Sequence, residues 1–300
     1  MSLGRYWWQF NRERKRGLLG AWHYHRTLDR VLDLRFPKPG SDCGTEIHIV
    51  TGREYWKLGL WMLASFFYTT KRSWPVTIHD DGSCNASDIA SMLTVVPFAK
   101  LVSRAEADQQ LHKQLRTFPR THDLRSTFPL LLKLTDTILL KRSAQCLVLD
   151  CDLLFFREPV EILAWSSAPE NNLFLTDIAD ASAVPPSQIN SLLGVKMLEN
   201  LNSGLCALRS DFLDLDLMER ALANTPLIDA PRRWTVEQTL FAILAGQRNS
   251  KLLPSRYLVS SEKRATKTTI MRHYVGKVRD SFYAEGLAAV ATDLRSAFRA

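Results

Sequence analysis

The stretch Cys146-Leu-Val-Leu-Asp-Cys-Asp-Leu-Leu-Phe-Phe156 limits the fold of this chain more than any other. Apolar residues occupy both alternating faces of a strand here, so the strand needs cover on both sides. Strands of that kind belong to parallel sheets with helices on each face. The residues ahead of it follow the same plan. Strands are predicted over residues 46–50, 75–79 and 92–97, with a helix over 54–68 between the first two. A polar helix near 105–116 and an apolar helix near 128–141 lead into the motif strand. This alternation predicts an α/β fold, a mostly parallel sheet flanked by helices.

Beyond Asp152 the rhythm changes. Strands near 172–176 and 203–209 are separated by a loop-rich piece, 177–202, which contains Pro185-Pro186. Helices near 211–223 and 234–246 follow, then a short strand near 270–275 and a charged tail over 283–300. With 300 residues, 46% of them hydrophobic and 23% charged, the chain has core enough for one large domain or two small ones.

The net charge of +8 is concentrated at one end. Residues 1–40 hold nine Lys or Arg against three acids, leaving the remaining 260 close to neutral. A nucleic-acid binder spreads its basic residues over a folded face, so nucleic acid is not an expected partner. Trp7, Trp8, Phe10 and Trp22 are interleaved with the charge in a leader covering 1–44. Residues 1–36 therefore suit peripheral contact with an anionic membrane or an acidic partner; the alternative is a solvated arm whose tryptophans pack on the domain.

No secretory signal is visible, because Arg5 and the run from Arg12 to Arg16 interrupt the first apolar residues. The longest uncharged apolar stretch, 58–70, has thirteen residues, where a bilayer needs about 20. Five cysteines, with no Cys-x-x-Cys pair, point away from a disulfide framework or structural zinc. A cytoplasmic location is expected.

The chemistry is expected at Asp150 and Asp152. In an extended chain their i, i+2 spacing puts both carboxylates on one face, about 6.6 Å apart along the strand. Two such groups can share a hard divalent cation, or one can hold the ion and the other a sugar hydroxyl. Acidic turn residues at a strand end are the plain alternative. An Asp-x-Asp also opens haloacid-dehalogenase phosphatases, where the first Asp is a nucleophile. Those expect the motif near the domain start and a small hydroxyl or β-branched residue four positions on. Here Leu154 stands there, and the motif lies at mid-chain.

Over about residues 45–282 the chain resembles GT-A (Rossmann-like) glycosyltransferases. The likeness is to the retaining galactosyl- and glucosyltransferases that include glycogenin and the lipopolysaccharide galactosyltransferases. Pro129-Leu-Leu-Leu-Lys-Leu134 precedes the motif, and Lys133 is similar in charge to the family's donor-reaching Arg. Leu201-Asn-Ser-Gly-Leu205 resembles a loop that approaches the sugar, through Asn202 and Gly204. Trp234-Thr-Val-Glu-Gln-Thr239 is similar to the family's acid-amide pair, at Glu237 and Gln238; Thr235 with Gln238 also reads as a capping box. Met271-Arg-His-Tyr-Val-Gly276 resembles the His-x-x-Gly stretch, so that His273 completes the metal site near Gly276, while Lys277 or Arg279 meets the diphosphate. Tyr55 matches a residue that stacks on uracil, and Asp80-Asp81-Gly82-Ser83 is similar to the nucleotide-binding Asp-Asp-Gly-Ser of inverting GT-A enzymes, with Asp81 on the donor. The other histidines (His23, His25, His48, His79, His112 and His122) show no ligand spacing.

The resemblance implies a nucleotide-binding half, 45–152, and a smaller acceptor half, 153–282. It implies transfer of a hexose from a nucleotide-diphosphate sugar, by resemblance a UDP-sugar, to a glycan, lipid or protein acceptor. Asp150, Asp152 and His273 would hold Mn²⁺, with Mg²⁺ as second candidate, since Mg²⁺ prefers all-oxygen octahedra. Glu237, Gln238 and Asn202 are the implied catalytic residues. Retention and inversion both stay open. A catalytically silent module of the same fold, binding a nucleotide sugar or a surface, is the alternative from another class.

Overall fold

The computed structural model describes residues 22–40, 44–179, 181–230, 232 and 234–299, and for Lys277 the backbone alone. Residues 1–21, with Trp7 and Trp8 of the basic leader, lie outside the described residues. Seven strands form one sheet in the order β3-β2-β1-β4-β7-β6-β8. They are β1 (Thr45–Thr51), β2 (Val76–Asp80), β3 (Lys100–Val102), β4 (Gln145–Leu149), β6 (Asn172–Thr176), β7 (Leu201–Leu208) and β8 (Ser250–Leu252). All neighbouring pairs are parallel except those made by β7, which runs antiparallel to β4 and β6.

The motif strand has the two-sided burial its sequence requires. Leu147 and Leu149 face a core built around helix Trp56–Thr70, while Cys146 and Val148 face a second core around helix Trp234–Gly246. The same alternation on β1 sends Ile47 and Ile49 into the first core and Glu46 and His48 to the other face. That face carries a polar layer. His48 Nδ1 lies 2.9 Å from His79 Nε2, and the Arg125 guanidinium forks onto Asp136 at 2.7 Å through Nε and Nη2.

A three-stranded sheet, β5 (Leu153–Phe155), β10 (Met271–His273) and β9 (Tyr257–Val259), stands beside the large one. β10 runs antiparallel to β5, with His273 opposite Leu153. This register brings His273 to Asp152, more than a hundred residues away in sequence.

Four sequence expectations need correction. Residues 92–97 are not a strand. Asn85 accepts from the Asp88 N–H and Asp88 caps in return, starting helix Ala86–Val95, and the third strand follows at β3. The capping signal outweighs the β-branched run. The helix near 128–141 is a 3-10 turn over Pro129–Lys133 and a short helix over Asp136–Leu139. Asn202-Ser-Gly is no loop: it lies inside β7, at a bulge opposite Phe174 and Leu175. Thr235 sits in the first helical turn, and its hydroxyl donates to the Arg232 carbonyl at 2.7 Å, so it does not cap.

Both chain ends add to the first core. Tyr24, Leu28, Val31, Leu34 and Phe36 are buried in it, as are Phe282, Leu287 and Leu294. Trp61 Nε1 donates to the Leu28 carbonyl at 3.1 Å, and the Arg35 N–H to the Phe298 carbonyl at 2.8 Å. Among the described residues no helix is long and apolar enough to cross a membrane.

Candidate active site

The acids sit where β4 gives way to β5. β4 ends at Leu149, and Asp150, Cys151 and Asp152 make a tight turn. The Asp150 N–H is held by the Gly204 carbonyl at 2.8 Å, and the Asp152 carbonyl accepts from the Tyr274 N–H at 2.9 Å. Cys151 points away, packing beside Gly59 of helix Trp56–Thr70, where an added Cβ would stand 3.1 Å from its sulfur. The turn draws the two carboxylates closer than an extended strand would: ligand atoms of Asp150, Asp152 and His273 all lie within 4.8 Å of one another.

Each carboxylate divides its oxygens between a cation and the histidine. Asp150 gives Oδ1 to Lys133 Nζ at 2.8 Å and turns Oδ2 toward His273 Nε2 at 3.6 Å. Asp152 gives Oδ2 to Arg279 at 2.9 Å and turns Oδ1 toward the same nitrogen at 3.2 Å. Burial by itself would raise the Asp152 pKa, but His273 and Arg279 outweigh it and hold this carboxyl well below the usual range. Two oxygens and one imidazole nitrogen thus converge on one point, a donor set suited to a divalent ion. The His273 ring fits against β7 only because Gly204 has no side chain; a Cβ there would collide with the imidazole.

A second limb lies behind Asp150. Lys133 is buried, with Glu237 Oε1 at 3.3 Å and Ser203 Oγ at 3.4 Å, and Ser203 Oγ donates to Glu237 Oε2 at 3.0 Å. Burial disfavours the Lys133 ammonium, but Asp150 and Glu237 outweigh that and raise its pKa. The lysine stands nearer Asp150, so Glu237 is left short of positive charge. Burial pushes the Glu237 carboxyl up to about 7, with Lys133 opposing the rise and Asp150 adding to it.

Asp177, at the end of β6, ties the remaining candidates together. Its Oδ2 accepts from Asn202 Nδ2 at 3.0 Å and from Gln238 Nε2 at 3.2 Å. Asn202 Oδ1 in turn meets His273 Nδ1 at 2.9 Å. On the other flank, Arg279 lies over the Tyr55 ring, 5.0 Å from its centroid, and Nη1 donates to the Tyr55 hydroxyl at 3.2 Å.

No protein-family model matches the sequence, and no curated protein matches it significantly. Solved structures do match in shape. The galactosyltransferase LgtC, in complex with donor and acceptor sugar analogs, superposes with a TM-score of 0.54 at 13% identity, over 85% of this chain and 96% of that one. The bifunctional glycosyltransferase WbbM, in its apo structure, gives 0.53 at 12% identity, over 88% of this chain and 53% of that one. At such identities the likeness is one of fold. The chain has the GT-A glycosyltransferase fold.

Within this GT-A fold the loops that follow β1 and β2 lock together. The Asp81 N–H donates to the Thr51 carbonyl at 2.8 Å, and Asp81 Oδ1 accepts from the Ser83 N–H at 2.9 Å. Gly52 leaves room for this, because a Cβ there would run into the Asp81 carboxylate and Ser83 Oγ. Thr51 Oγ1 accepts from Cys151 Sγ at 3.4 Å, which links these loops to the acid turn. Gly276 follows β10 with a φ of +38°, in the left-handed region, and turns the chain back toward Arg279. The candidate site therefore gathers Asp150, Asp152, His273, Lys133, Glu237, Asn202, Gly204, Gln238, Arg279 and Tyr55 through direct contacts, with Asp81 one loop away. Asp177 and Ser203 were not foreseen. Asp177 had a legible signal, since it ends an apolar strand as Asp150 does.

Proposed function

We propose that this chain is a metal-assisted hexosyltransferase, moving a sugar from a nucleotide-diphosphate donor of the UDP type to an acceptor hydroxyl. The observation that carries the reading is the division of labour at the acid turn. Asp150 and Asp152 each keep one oxygen turned to His273 Nε2 while a cation holds the other. When bound there, a divalent ion would neutralise charge growing on the departing diphosphate. Two carboxylates with one imidazole favour Mn²⁺ over Mg²⁺.

Around that centre the chain's own residues have separable tasks. Arg279, pre-set against Asp152 and Tyr55, presents a guanidinium suited to phosphate, and Lys277 is close to it in sequence. The Tyr55 ring and Asp81 border the ends of β1 and β2, where open α/β sheets take nucleotides. Gln238 commits its amide nitrogen to Asp177, leaving Oε1 as the acceptor that can face an electron-poor anomeric carbon. Glu237, enclosed beside Lys133 and Ser203, sets the local field behind the sugar. The loop-rich residues of the second half would border the acceptor.

Four described cysteines are unpaired thiols, in keeping with the cytoplasmic location we assign; the leader would bring the enzyme to an anionic membrane face. The test is a panel of nucleotide sugars screened for thermal stabilisation with and without Mn²⁺. A ligand bound only by the native state at 100 times its Kd adds about 2.7 kcal/mol. Stabilisation by a UDP-sugar that needs Mn²⁺ is the expected result; none with any nucleotide sugar would remove the reading. Stabilisation without donor hydrolysis or transfer would leave a silent binding module.

A further inference from the structure

Asn202 stands at the place where the two nitrogens of His273 are told apart. The backbone N–H of Gly204 can only donate, and it reaches Asn202 Oδ1 at 3.0 Å. The Asp177 carboxylate can only accept, and Asn202 Nδ2 reaches its Oδ2 at 3.0 Å. These two contacts settle which way the amide faces. Its oxygen must then accept from His273 Nδ1, 2.9 Å away, so the proton belongs on Nδ1. Nε2, facing Asp150 Oδ2 and Asp152 Oδ1, is the nitrogen left for a cation when one is bound.

We infer that Asn202, anchored by Asp177, is a positioning residue that fixes the tautomer of His273 and so sets the affinity of the site for its cation. The inference rests on the divalent-ion reading of the acid turn and deepens it. Ligating histidines commonly donate their second nitrogen to an oxygen, which fixes the ring and its basicity. Here the oxygen is an amide whose own direction is set by a carboxylate one strand away. The same Asp177 oxygen holds Gln238 at 3.2 Å, so one acid aligns both the histidine's support and the amide assigned to the sugar.

The test uses Mn²⁺ alone, titrated by electron paramagnetic resonance, together with Cd²⁺-loaded protein carrying ¹⁵N-histidine. In the wild type, Cd²⁺ binds Nε2 of His273 and a proton stays on Nδ1. Asn202→Ala weakens Mn²⁺ binding about 10- to 100-fold. The exchange Asp177→Asn with Asn202→Asp rebuilds each hydrogen bond around position 202, and Gln238 can turn its Oε1 to accept from the second hydrogen of the new amide. The new amide donates to the new carboxylate, which still accepts from the Gly204 N–H and from Nδ1. The double variant should therefore bind Mn²⁺ within about threefold of wild type. Cd²⁺ on Nδ1, wild-type affinity in Asn202→Ala, or an exchange variant as weak as Asn202→Ala would each overturn the role given to Asn202. A wild type that binds no Mn²⁺ would instead remove the metal site itself.

Discussion

Lys133 Nζ lies 2.8 Å from Asp150 Oδ1 and 3.3 Å from Glu237 Oε1, a buried cation between two acids on different elements. Removing one member of such a cluster leaves a buried charge without compensation, which costs about 3–5 kcal/mol. Lys133→Met should lower the unfolding free energy by that amount in urea titrations. Adding Asp150→Asn should restore much of it, because the nearer acid then carries no charge. A loss under about 1 kcal/mol, in the range of exposed pairs, would show that Lys133 does not compensate the two acids.

Glu237 gives the metal-free protein a pH signature. Its carboxyl titrates near 4.5 when unfolded and is raised to about 7 by burial when folded. Between those values the native state holds a proton that the unfolded state has lost, so stability falls as pH rises through the window. At 1.36 kcal/mol per unit the fall is about 3 kcal/mol. Chemical denaturation of wild type and Glu237→Gln across pH 4.5–8 isolates it. The difference between the two should move against the wild type as pH rises; a constant difference would mean Glu237 titrates normally.

Gly204→Ala tests the packing of the histidine. The new Cβ has the His273 imidazole in its way, and β7 cannot recede without disturbing the Gly204 carbonyl that holds Asp150. Mn²⁺ affinity should fall tenfold or more, as when support behind a metal ligand is lost. The melting point should change far less, since one displaced ring near the surface of the site leaves the cores intact. Unaltered Mn²⁺ binding would place His273 outside the metal site.

Much of this arrangement was legible from residues that are contiguous in the chain. The run of apolar residues into Asp150 and Asp152 announced both a doubly covered strand and an acid site, because burial on alternate faces is a local pattern. His273 and Glu237 could be picked out only through family resemblance, since nothing local marks them. Asp177 and Ser203 escaped because their partners, Asn202 and Gln238 for one and Lys133 and Glu237 for the other, lie far off in sequence, and the bulge in β7 turns Asn202 and Ser203 in ways no single-strand pattern carries. The reverse error occurred at 92–97, where β-branched residues suggested a strand while the Asn85–Asp88 capping pair, seven residues upstream, had already started a helix. Lys133 matched a donor-reaching cation in sequence, yet its ammonium is spent on Asp150 and Glu237.

From Tyr24 to Phe36 the leader is packed into the first core. Deleting residues 1–21 should leave a folded protein that binds anionic vesicles more weakly, at about 1 kcal/mol for each basic residue lost near the surface. Deleting 1–36 should be far more damaging, because Tyr24, Leu28, Val31, Leu34 and Phe36 leave the core. At about 1.5–3 kcal/mol per buried side chain, their loss rivals the whole stability of a domain. Circular dichroism and vesicle co-sedimentation of the two truncations check both halves of this. A folded 37–300 fragment would contradict the packing of the leader, and undiminished vesicle binding by 22–300 would contradict its membrane role.

Release of nucleoside diphosphate from the stabilising nucleotide sugar, with Mn²⁺, with chelator, and in Asp152→Asn, tests metal-assisted sugar transfer most directly. The amide at position 152 cannot supply the anionic oxygen that faces His273 Nε2 at 3.2 Å. Turnover should stop on chelation and fall at least about 100-fold in Asp152→Asn, some 2.7 kcal/mol of transition-state free energy. The variant's circular dichroism spectrum should match the wild type's. Wild-type turnover in a folded Asp152→Asn, or turnover indifferent to chelator, would contradict the assignment of the acid turn as the catalytic metal site.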